Sequence, residues 1–484
     1  MHDVIPFAVI VAIAACALLA ATGSARLSER IHVPAPAMFL VAASLIVDLF
    51  PHLGQLTIQT DQRIVTVALV VILFDGGMHI GLARFRPVAG PVVWIGVAGT
   101  FATAAALTVA AHTLFGFDWR SALLLGTALA PTDPAVVFSV LGRREIRGRS
   151  GTLLEGESGA NDPVGIALML AVLGSAGGGL DAVWHGALEF SVQMTLGIAF
   201  GVAGGLALRW LMTHVPLPNE ALYPLRTVAF ALLLYGVTTA AHGSGFLAVL
   251  LAGILVGDTR APYKREIERF STAASSLAEI IAFTVLGLSI PLSEAFAGDR
   301  GWTGLGLAAL LILVVRPVFL GLLLLPVRLH RGERAFVLWA GLKGAVPILL
   351  GTYLLTAGVH DADRLYALVF VVVLASVIVQ GGLVPTLARM WKVPMRVVEP
   401  EPWALGMRFR DEPEGLHRYV VSRGSTADGC RIGDLPLEED MWISMVSRQG
   451  RLVHVRGDTV LQAGDEVLAL AGDGDLPESL FRSA

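Results

Sequence analysis

The sequence predicts an all-α protein that crosses a membrane many times and ends in a small α+β domain. Of its 484 residues, 55% are hydrophobic and only 15% are charged, and the mean hydropathy is +0.70. Soluble proteins carry about 25% charged residues. Apolar runs of spanning length recur along the chain as far as Arg389, beyond which the composition becomes polar.

Thirteen apolar segments are long enough, or nearly so, to cross a bilayer as helices, which takes about 20 residues. They are residues 4–21, 35–51, 64–82, 88–114, 120–141, 152–175, 187–212, 222–242, 244–258, 272–292, 303–327, 335–357 and 365–389. The first segment resembles the core of a signal peptide. Because no Lys or Arg precedes it, we interpret it as a retained first helix.

The basic residues predict the orientation. Loops after odd-numbered segments are rich in Arg and Lys, with segment 7 the weak case, and loops after even-numbered segments are poor in both. The basic residues are Arg26, Arg30, Arg84, Arg86, Arg143, Arg144, Arg147, Arg149, Arg209, Arg260, Lys264, Arg265, Arg269, Arg328, Arg331 and Arg334. Because basic loops stay on the cytoplasmic side, we expect an inner (plasma) membrane protein with its N-terminus outside and its tail in the cytoplasm.

Segments 5 and 12 are each interrupted near mid-span. Segment 5 contains Pro131-Thr132-Asp133-Pro134, and segment 12 contains Lys343-Gly344 followed by Pro347. Proline inside a helix removes a backbone hydrogen bond, and freed backbone groups are tolerated at membrane depth only where protein or water satisfies them. The breaks are seven segments apart, which predicts two inverted repeats, segments 1–6 and 8–13, with crossed broken helices. Paired breaks of this kind indicate the binding site of a secondary transporter.

The sequence predicts eight intramembrane charges, distinct from the ionisable residues near segment ends. They are Asp75, Asp133, Glu155, Glu157, Asp162, Glu279, Arg316 and Lys343. A translocon-based scale assigns about 2.5–3.5 kcal/mol to one acid at a helix centre, and such groups usually handle ions or protons. We therefore expect them to face each other or water. Because no His or Cys cluster accompanies them, a transition-metal site is not predicted.

Segment 6 holds the densest set of these groups. Ser158 and Asp162 are four residues apart and share a helical face, and Glu157 and Asn161 form an adjacent pair. Together with carbonyls freed at the break in segment 5, they offer the oxygen ligands that hard cations prefer. Asp162 is predicted to hold either a proton or a metal cation, which is the chemistry of an antiporter.

Arg316 is the expected counter-charge of Glu157, in a bidentate pair that fixes segment 6. A purely structural ion pair is equally compatible with the sequence. For Asp75, Glu279 and Lys343, structural and transport roles both stay open.

These residues resemble the monovalent cation:proton antiporter-1 family, the relatives of sodium/proton exchangers, over about residues 5–390. The motifs that carry the resemblance are Thr132-Asp133-Pro134, Glu157-Ser158-Gly-Ala-Asn161-Asp162-Pro163, Gly243-Ser-Gly-Phe-Leu-Ala248, Glu279 before Phe283 and Gly287, Arg316, and Gly341-Leu-Lys343-Gly344. The resemblance implies a homodimer with a dimerisation domain and a six-helix core domain. It also implies electroneutral, alternating-access exchange of K⁺ or Na⁺ for H⁺ without a cofactor.

The family pattern further implies the site. Asp162 is expected to bind ion and proton, and Asn161, Ser158, Thr132, Asp133 and Asp75 are expected around the cation. The resemblance implies the Glu157–Arg316 pair as well. Lys343 departs from the pattern, because many relatives carry Arg there, which leaves its role open.

The domain prediction is a transmembrane exchanger domain at residues 1–391, a proline-containing linker at 392–414 and a regulatory domain at 415–484. In the tail we predict strands at 418–422, 441–447, 451–455 and 466–471, and a short helix at 476–482. The tail resembles an RCK C-terminal (TrkA-C) domain, most clearly at Gly464-Asp465-Glu466-Val467-Leu468. This resemblance implies a small regulatory ligand and favours K⁺.

Other functions have weaker support. Gly156-Glu157-Ser158-Gly159 fits a short pattern of intramembrane serine proteases, with His242 in a later helix. A regulated cation channel would need a pore loop such as Thr-Val-Gly-Tyr-Gly, which the sequence lacks. We therefore expect a transporter rather than an enzyme. The net charge of −4 and the absence of a long basic block exclude a nucleic-acid partner and leave membrane lipids as the surroundings.

Overall fold

The computed structural model describes residues 33–51, 57–141, 144–146, 149–174, 180–397, 416–437, 442–448, 451–470 and 480–481, together with Leu19 and Gly23. The predicted first helix at 4–21 therefore lies almost wholly outside the described residues. The same holds for most of the predicted linker at 392–414 and of the predicted helix at 476–482.

Helices coincide with all the other predicted segments. They are α1 (Ala35–Leu49), α2 (Ile58–Phe85), α3 (Ala89–Val93), α4 (Gly99–Phe115), α5 (Trp119–Ala128), α6 (Ala135–Leu141), α7 (Arg149–Gly174), α8 (Leu180–His214), α9 (Leu222–Ala240), α10 (Gly245–Gly257), α11 (Lys264–Leu288), α12 (Leu292–Ala295), α13 (Arg300–Leu310), α14 (Gly321–Leu323), α15 (Arg331–Trp339), α16 (Ala345–Thr356), α17 (Ala362–Ala375) and α18 (Gly382–Met390). Stretches of π-helix join α3 to α4, α13 to α14 and α17 to α18, at Trp94–Ala98, Leu311–Leu320 and Ser376–Gly381.

Six continuous helical runs among the described residues are long and apolar enough to cross a membrane. The longest, Ile58–Phe115, includes predicted segments 3 and 4, which meet at a break in α2. Gly81 has a φ of +62° there, and the Asp258 carboxylate accepts a hydrogen bond from the Ala83 amide at 2.6 Å. A side chain from the end of α10 therefore satisfies a backbone group that the break exposes.

Backbone-to-backbone contact between α2 and α10 forms the centre of the transmembrane packing. A Cβ on Gly77 would lie 2.5 Å from the Leu250 carbonyl oxygen, and one on Gly253 would lie 2.5 Å from that of Phe74. On the other side of α10, glycines at four-residue spacing in α8 face Ser244, Ala248 and Ala252; they are Gly197, Gly201 and Gly205. Small residues at this spacing let membrane helices approach closely.

The two predicted helix breaks cross each other. The first is residues 129–134, between α5 and α6, and the second is residues 340–344, between α15 and α16. The Asp133 amide donates to the Leu342 carbonyl at 2.8 Å, so the two extended segments are hydrogen-bonded directly. The predicted crossed broken helices are confirmed.

One pairing of strands was not predicted. Residues 144–146 form β1 and Met395–Val397 form β2, and the two pair antiparallel. Residues 395–397, which the sequence places in the predicted linker, thus hold the chain after α18 against the loop before α7. Short three-residue strands between polar stretches leave no clear periodicity in the sequence.

The tail contains a four-stranded antiparallel sheet in the order β3-β6-β4-β5, formed by β3 (Leu416–Val420), β4 (Trp442–Arg448), β5 (Arg451–Val453) and β6 (Glu466–Leu470). All four predicted strands are present, and β4 pairs antiparallel with β5, with Val446 opposite Val453. The chain divides into two compact units, Met1–Glu401 and Pro402–Ala484. The bounds predicted for the three domains stay a prediction.

A buried carboxylate stabilises the tail. Asp465 is 1% exposed and accepts two hydrogen bonds from Arg448, at 2.8 and 2.7 Å, and one from the Gln462 amide at 2.9 Å. Burial acts to raise the pKa of Asp465, but these hydrogen bonds outweigh it, so the pKa lies below the usual 3.8.

The contact between α2 and α10 predicts a contrast between neighbouring glycines. Gly77→Ala pushes a methyl group into the backbone of α10 and should destabilise the protein by about 1–3 kcal/mol. Gly76→Ala is the matched control, because nothing lies within 4 Å of its Cβ position, and alanine favours the helix. Melting temperatures of the purified variants test this. Equal melting temperatures would contradict the packing.

The depressed pKa of Asp465 predicts acid sensitivity of the tail. The ionised carboxylate stabilises the folded tail at every pH above the unfolded-state pKa of about 3.9, and this contribution is lost as the pH falls through the lower folded-state pKa. In the full-length protein, amide hydrogen exchange over residues 416–470, corrected for intrinsic rates, should accelerate in that range. Asp465→Asn should flatten the dependence, whereas the exposed control Asp458→Asn should leave it unchanged. An unaltered profile in Asp465→Asn would exclude this role.

Candidate functional site

The first break and α7 form a polar cluster in the interior of the transmembrane unit. The Asn161 side-chain oxygen accepts from the Thr132 amide at 3.2 Å, and its nitrogen donates to the Thr132 hydroxyl at 2.7 Å. The Ser158 hydroxyl lies 3.1 Å from the Thr132 hydroxyl. Because the backbone donor of Thr132 requires an acceptor, the orientation of the Asn161 amide is defined. Asn161 therefore holds the broken segment against α7.

Asp162 lies beside this cluster and is 7% exposed. Its Oδ1 atom is buried and has no hydrogen-bond partner among the residues described. The charges that act on it are those of Asp133, which repels it, and Lys343, which attracts it. A buried carboxylate oxygen without a partner is strongly unfavourable unless something binds it.

Lys343 satisfies backbone oxygens at the crossing. Its Nζ donates to the carbonyls of Ala130 and Pro131, at 3.0 and 2.9 Å, and the residue is 1% exposed. These oxygens are close to the end of α5, where the helix supplies no further N–H donors. The lysine therefore places its positive charge at the negative end of α5, which is favourable.

Asp133 lies at the beginning of the second half-helix. A Cβ on Gly344, which precedes α16, would overlap the Asp133 side chain. The positive end of the α16 dipole thus faces a carboxylate. Only glycine admits this close approach.

Glu157 and Arg316 form the predicted ion pair. Arg316 Nη2 lies 2.9 Å from Oε1 and 3.2 Å from Oε2 of Glu157, so a single guanidinium nitrogen contacts both carboxylate oxygens. Arg316 also donates to the carbonyls of Leu338 and Val337, at 2.9 and 3.2 Å. The arginine lies on the π-helix at Leu311–Leu320, and any side chain at Gly341 would overlap its guanidinium. The pair therefore connects α7 with the residues before the second break.

A second polar network supports the crossing and was missed in the sequence. The Lys343 amide donates to the Ser376 hydroxyl at 3.0 Å, and Ser376 donates to Gln380 Oε1 at 2.7 Å. Gln380 and Trp339 hydrogen-bond each other through side chain and backbone in both directions. The sequence did contain a signal for this network, because Ser376 and Gln380 are polar residues four positions apart in an otherwise apolar segment.

Two predicted site residues, Asp75 and Glu279, have no described hydrogen bond to this cluster. Asp75 interacts with His79, 3.4 Å from its Nδ1, and with Thr272, 3.4 Å from its hydroxyl. Glu279 has a buried Oε1 atom without a hydrogen-bond partner in the described part of the chain, and Asp133 is the charge that acts on it. The geometry brings together Thr132, Asp133, Glu157, Ser158, Asn161, Asp162, Arg316 and Lys343. The roles of Asp75 and Glu279 stay predictions.

Among the residues that the structure describes, no hydrogen bond joins Ser158 to a histidine that could act as the base of a protease. The Ser158 hydroxyl contacts Thr132. His242 is exposed, just beyond the end of α9, with a φ of +61°.

Comparison with known families identifies the class of protein. Residues 14–390 match the family described as sodium/hydrogen exchanger, transmembrane, and residues 416–479 match the TrkA-C domain. The chain belongs to the sodium/hydrogen exchanger family. It is therefore a multi-pass membrane protein that exchanges a cation for a proton, and it is a transporter rather than an enzyme.

Several relatives are similar over most of the chain. The K⁺/H⁺ antiporter NhaP of Alkalimonas amylolytica is 32% identical over 459 residues, which cover 93% of this chain and 79% of the relative. The K⁺/H⁺ antiporter NhaP2 of Shewanella oneidensis is 33% identical, over 86% of this chain and 73% of its own. The Na⁺/H⁺ antiporter NhaP of Pseudomonas aeruginosa is 26% identical, over 75% of this chain and 91% of the relative.

The fold has solved counterparts. The structure of the sodium proton antiporter MjNhaP1 from Methanocaldococcus jannaschii at pH 8 superposes with a TM-score of 0.65 at 21% identity, covering 78% of this chain and 99% of that one. This similarity confirms the predicted fold of the transmembrane part.

The Glu157–Arg316 pair predicts strong energetic coupling. Removing one partner leaves the other buried and unpaired, which costs about 3–5 kcal/mol, whereas replacing both with apolar residues is far less damaging. Glu157→Leu, Arg316→Met and the double variant should therefore show a large favourable coupling energy in thermal unfolding. The exposed pair Asp299–Arg364, at 2.7 Å, is the control and should couple by less than about 1 kcal/mol. Additive effects at Glu157 and Arg316 would show that the pair contributes little.

Proposed function

We propose that the protein exchanges one K⁺ for one H⁺ across the membrane, with Asp162 as the group that binds each in turn. Na⁺ is the alternative cation. The observation that carries this proposal is the Oδ1 atom of Asp162, which is buried and has no hydrogen-bond partner among the residues that the structure describes. Asp162 lies one helical turn after Ser158, whose hydroxyl contacts that of Thr132. A cation bound to this oxygen would relieve its lack of a partner, and so would a proton.

The charges at the crossing support one-for-one exchange. Asp133, Glu157 and Asp162 carry three negative charges when ionised, and Arg316 and Lys343 carry two positive ones. With a proton on the nearby Glu279, on which Asp133 acts, the cluster is short of one positive charge, which a single monovalent cation or a single proton on Asp162 supplies. A low-dielectric interior disfavours any other occupancy.

The neighbours of Asp162 take defined roles in this proposal. The hydroxyls of Ser158 and Thr132 and the Asp162 carboxylate supply hard oxygen ligands for the cation. Asn161 positions Thr132, because both ends of its amide are engaged there. Asp133 and Lys343 neutralise the half-helix ends and set the electrostatic potential at Asp162. Glu157 and Arg316 hold α7 in register, and no resident cofactor takes part.

The choice of K⁺ rests on the relatives and the tail. The relatives named K⁺/H⁺ antiporters are 32% and 33% identical to this chain over 93% and 86% of its length, whereas the one named an Na⁺/H⁺ antiporter is 26% identical over 75%. The TrkA-C match at 416–479 also fits potassium transport under regulation by a small ligand.

Membership of the same family supports a proposal for the oligomeric state and the membrane. We propose a homodimer in the inner (plasma) membrane, in contact with membrane lipids, with the N-terminus outside and the tail in the cytoplasm. The alternation of basic loops supports this orientation. The domain bounds 1–391, 392–414 and 415–484 belong to the same proposal.

Replacing Asp162 tests the mechanism. In everted vesicles, cation-dependent fluorescence dequenching by Asp162→Asn should fall to background, because the amide binds neither a proton nor a cation as the carboxylate does. Asp181→Asn, in the exposed first turn of α8, should exchange normally. Comparing K⁺, Na⁺ and Li⁺, with and without residues 415–484, identifies the cation and the effect of the tail. Normal exchange by correctly folded Asp162→Asn would refute the proposal.

A further inference from the structure

We propose that the protein has a binding site for the headgroup of an anionic phospholipid, at the end of the transmembrane unit where α7 begins. The site is a cavity of about 240 Å³ lined by eight residues. They are Val88, Pro91, Arg149, Leu153, Pro326, Val327, Arg328 and Leu329. This inference goes beyond the proposed exchange activity, which does not require it.

Two arginines give the cavity its charge. Arg149 and Arg328 are exposed, and neither has a carboxylate partner among the ion pairs of the described residues. The described hydrogen bond of Arg149 goes to the Pro87 carbonyl, at 3.5 Å. The nearby carboxylate of Glu333 is already engaged by the Ser150 hydroxyl and the His330 amide, at 3.2 and 3.0 Å. Two exposed guanidinium groups at one cavity, with no carboxylate partner in the described part of the chain, favour an anion with several oxygen acceptors.

Apolar surface adjoins the charged cavity. The lining between the arginines is aliphatic, from Val88, Pro91 and Leu153. Next to it, Trp94 is 49% exposed and donates its indole N–H to the Leu323 carbonyl at 3.2 Å, and Leu325 is 61% exposed. Tryptophan with its N–H bonded and its ring exposed is typical of the membrane interface. A ligand with a phosphate group at the arginines and acyl chains along this apolar surface would be amphipathic, as a phospholipid is.

The position of the cavity in the bilayer distinguishes a lipid from a dissolved anion. Arg149 and Arg328 lie in the loops that the distribution of basic residues assigns to the cytoplasmic side. Basic pockets between transmembrane helices on that side bind anionic headgroups, because the cytoplasmic leaflet is rich in them. A dissolved phosphate would gain only the electrostatic attraction of the two arginines, whereas a phospholipid would also cover the exposed apolar surface of Trp94 and Leu325.

The lipid would join two elements of the transport site. Arg149 is the first residue of α7, which carries Glu157 two turns later. Pro326 to Leu329 follow α14, which continues the π-helix that carries Arg316. A headgroup between Arg149 and Arg328 would therefore brace the ends of the two elements that the Glu157–Arg316 pair connects.

Lipid titration of the purified full-length protein tests this site. Phosphatidylglycerol added to the detergent-solubilised protein should raise the melting temperature and appear as bound lipid in native mass spectrometry, whereas phosphatidylcholine should do neither. Arg149→Gln with Arg328→Gln should weaken phosphatidylglycerol binding by about 25-fold, roughly fivefold for each arginine. Arg149→Lys with Arg328→Lys should retain most of the binding.

The controls separate the alternatives. Arg265→Gln with Arg389→Gln removes two basic residues outside the cavity lining and should bind lipid like the unaltered chain. Inorganic phosphate and glycerol phosphate should stabilise the protein far less than the lipid does. Equal stabilisation by inorganic phosphate would replace the lipid with a dissolved anion and overturn the proposal. Unchanged phosphatidylglycerol binding in Arg149→Gln with Arg328→Gln would overturn it as well. None of these outcomes depends on exchange activity.

Discussion

The hydrogen bonds between two interrupted helices are the constraint on which the rest of the structure depends. A helix that stops at mid-membrane exposes carbonyl and amide groups that lipid cannot satisfy. Here residues of the second break form hydrogen bonds with backbone groups of the first. The Leu342 carbonyl accepts from the Asp133 amide, and Lys343 donates to two carbonyls beyond α5. Ser376 accepts the Lys343 amide in turn. The breaks can exist only as a pair, and their four half-helix ends bring dipoles and charges to one place.

This arrangement explains why most ionisable residues at the crossing lie beside an opposite charge or the oppositely charged end of a helix dipole. Asp133 faces the positive end of α16, Lys343 faces the negative end of α5, and Arg316 holds Glu157. Each of these charges has a fixed partner within the protein. Asp162 differs, since its Oδ1 atom has no hydrogen-bond partner among the described residues. A frame of paired charges around the unpartnered carboxylate oxygen of Asp162 suits a site that must accept one small cation and release it again.

The sequence predicted the helices well because each is an apolar run bounded by charge, and the proline breaks were visible at Pro131 and Pro347. It also predicted the Glu157–Arg316 pair, because a charge buried in the membrane is unfavourable unless an opposite charge lies beside it. It did not predict the Ser376–Gln380 network or the β1–β2 pairing. The first depends on which faces of two distant helices meet, and the second on three-residue strands without periodicity. The contact of Asp75 with Thr272 likewise depends on the packing of α2 against α11.

The proposed exchange depends on a single carboxylate that binds a proton and a cation in competition. The most direct measurement is proton release from the purified protein in weakly buffered detergent solution when the cation is added. Competition predicts release of about one proton per chain on addition of K⁺ or Na⁺, at a pH where Asp162 is protonated, and none from a chain with asparagine at that position. Cation binding without proton release, or the same release when the carboxylate is absent, would contradict it.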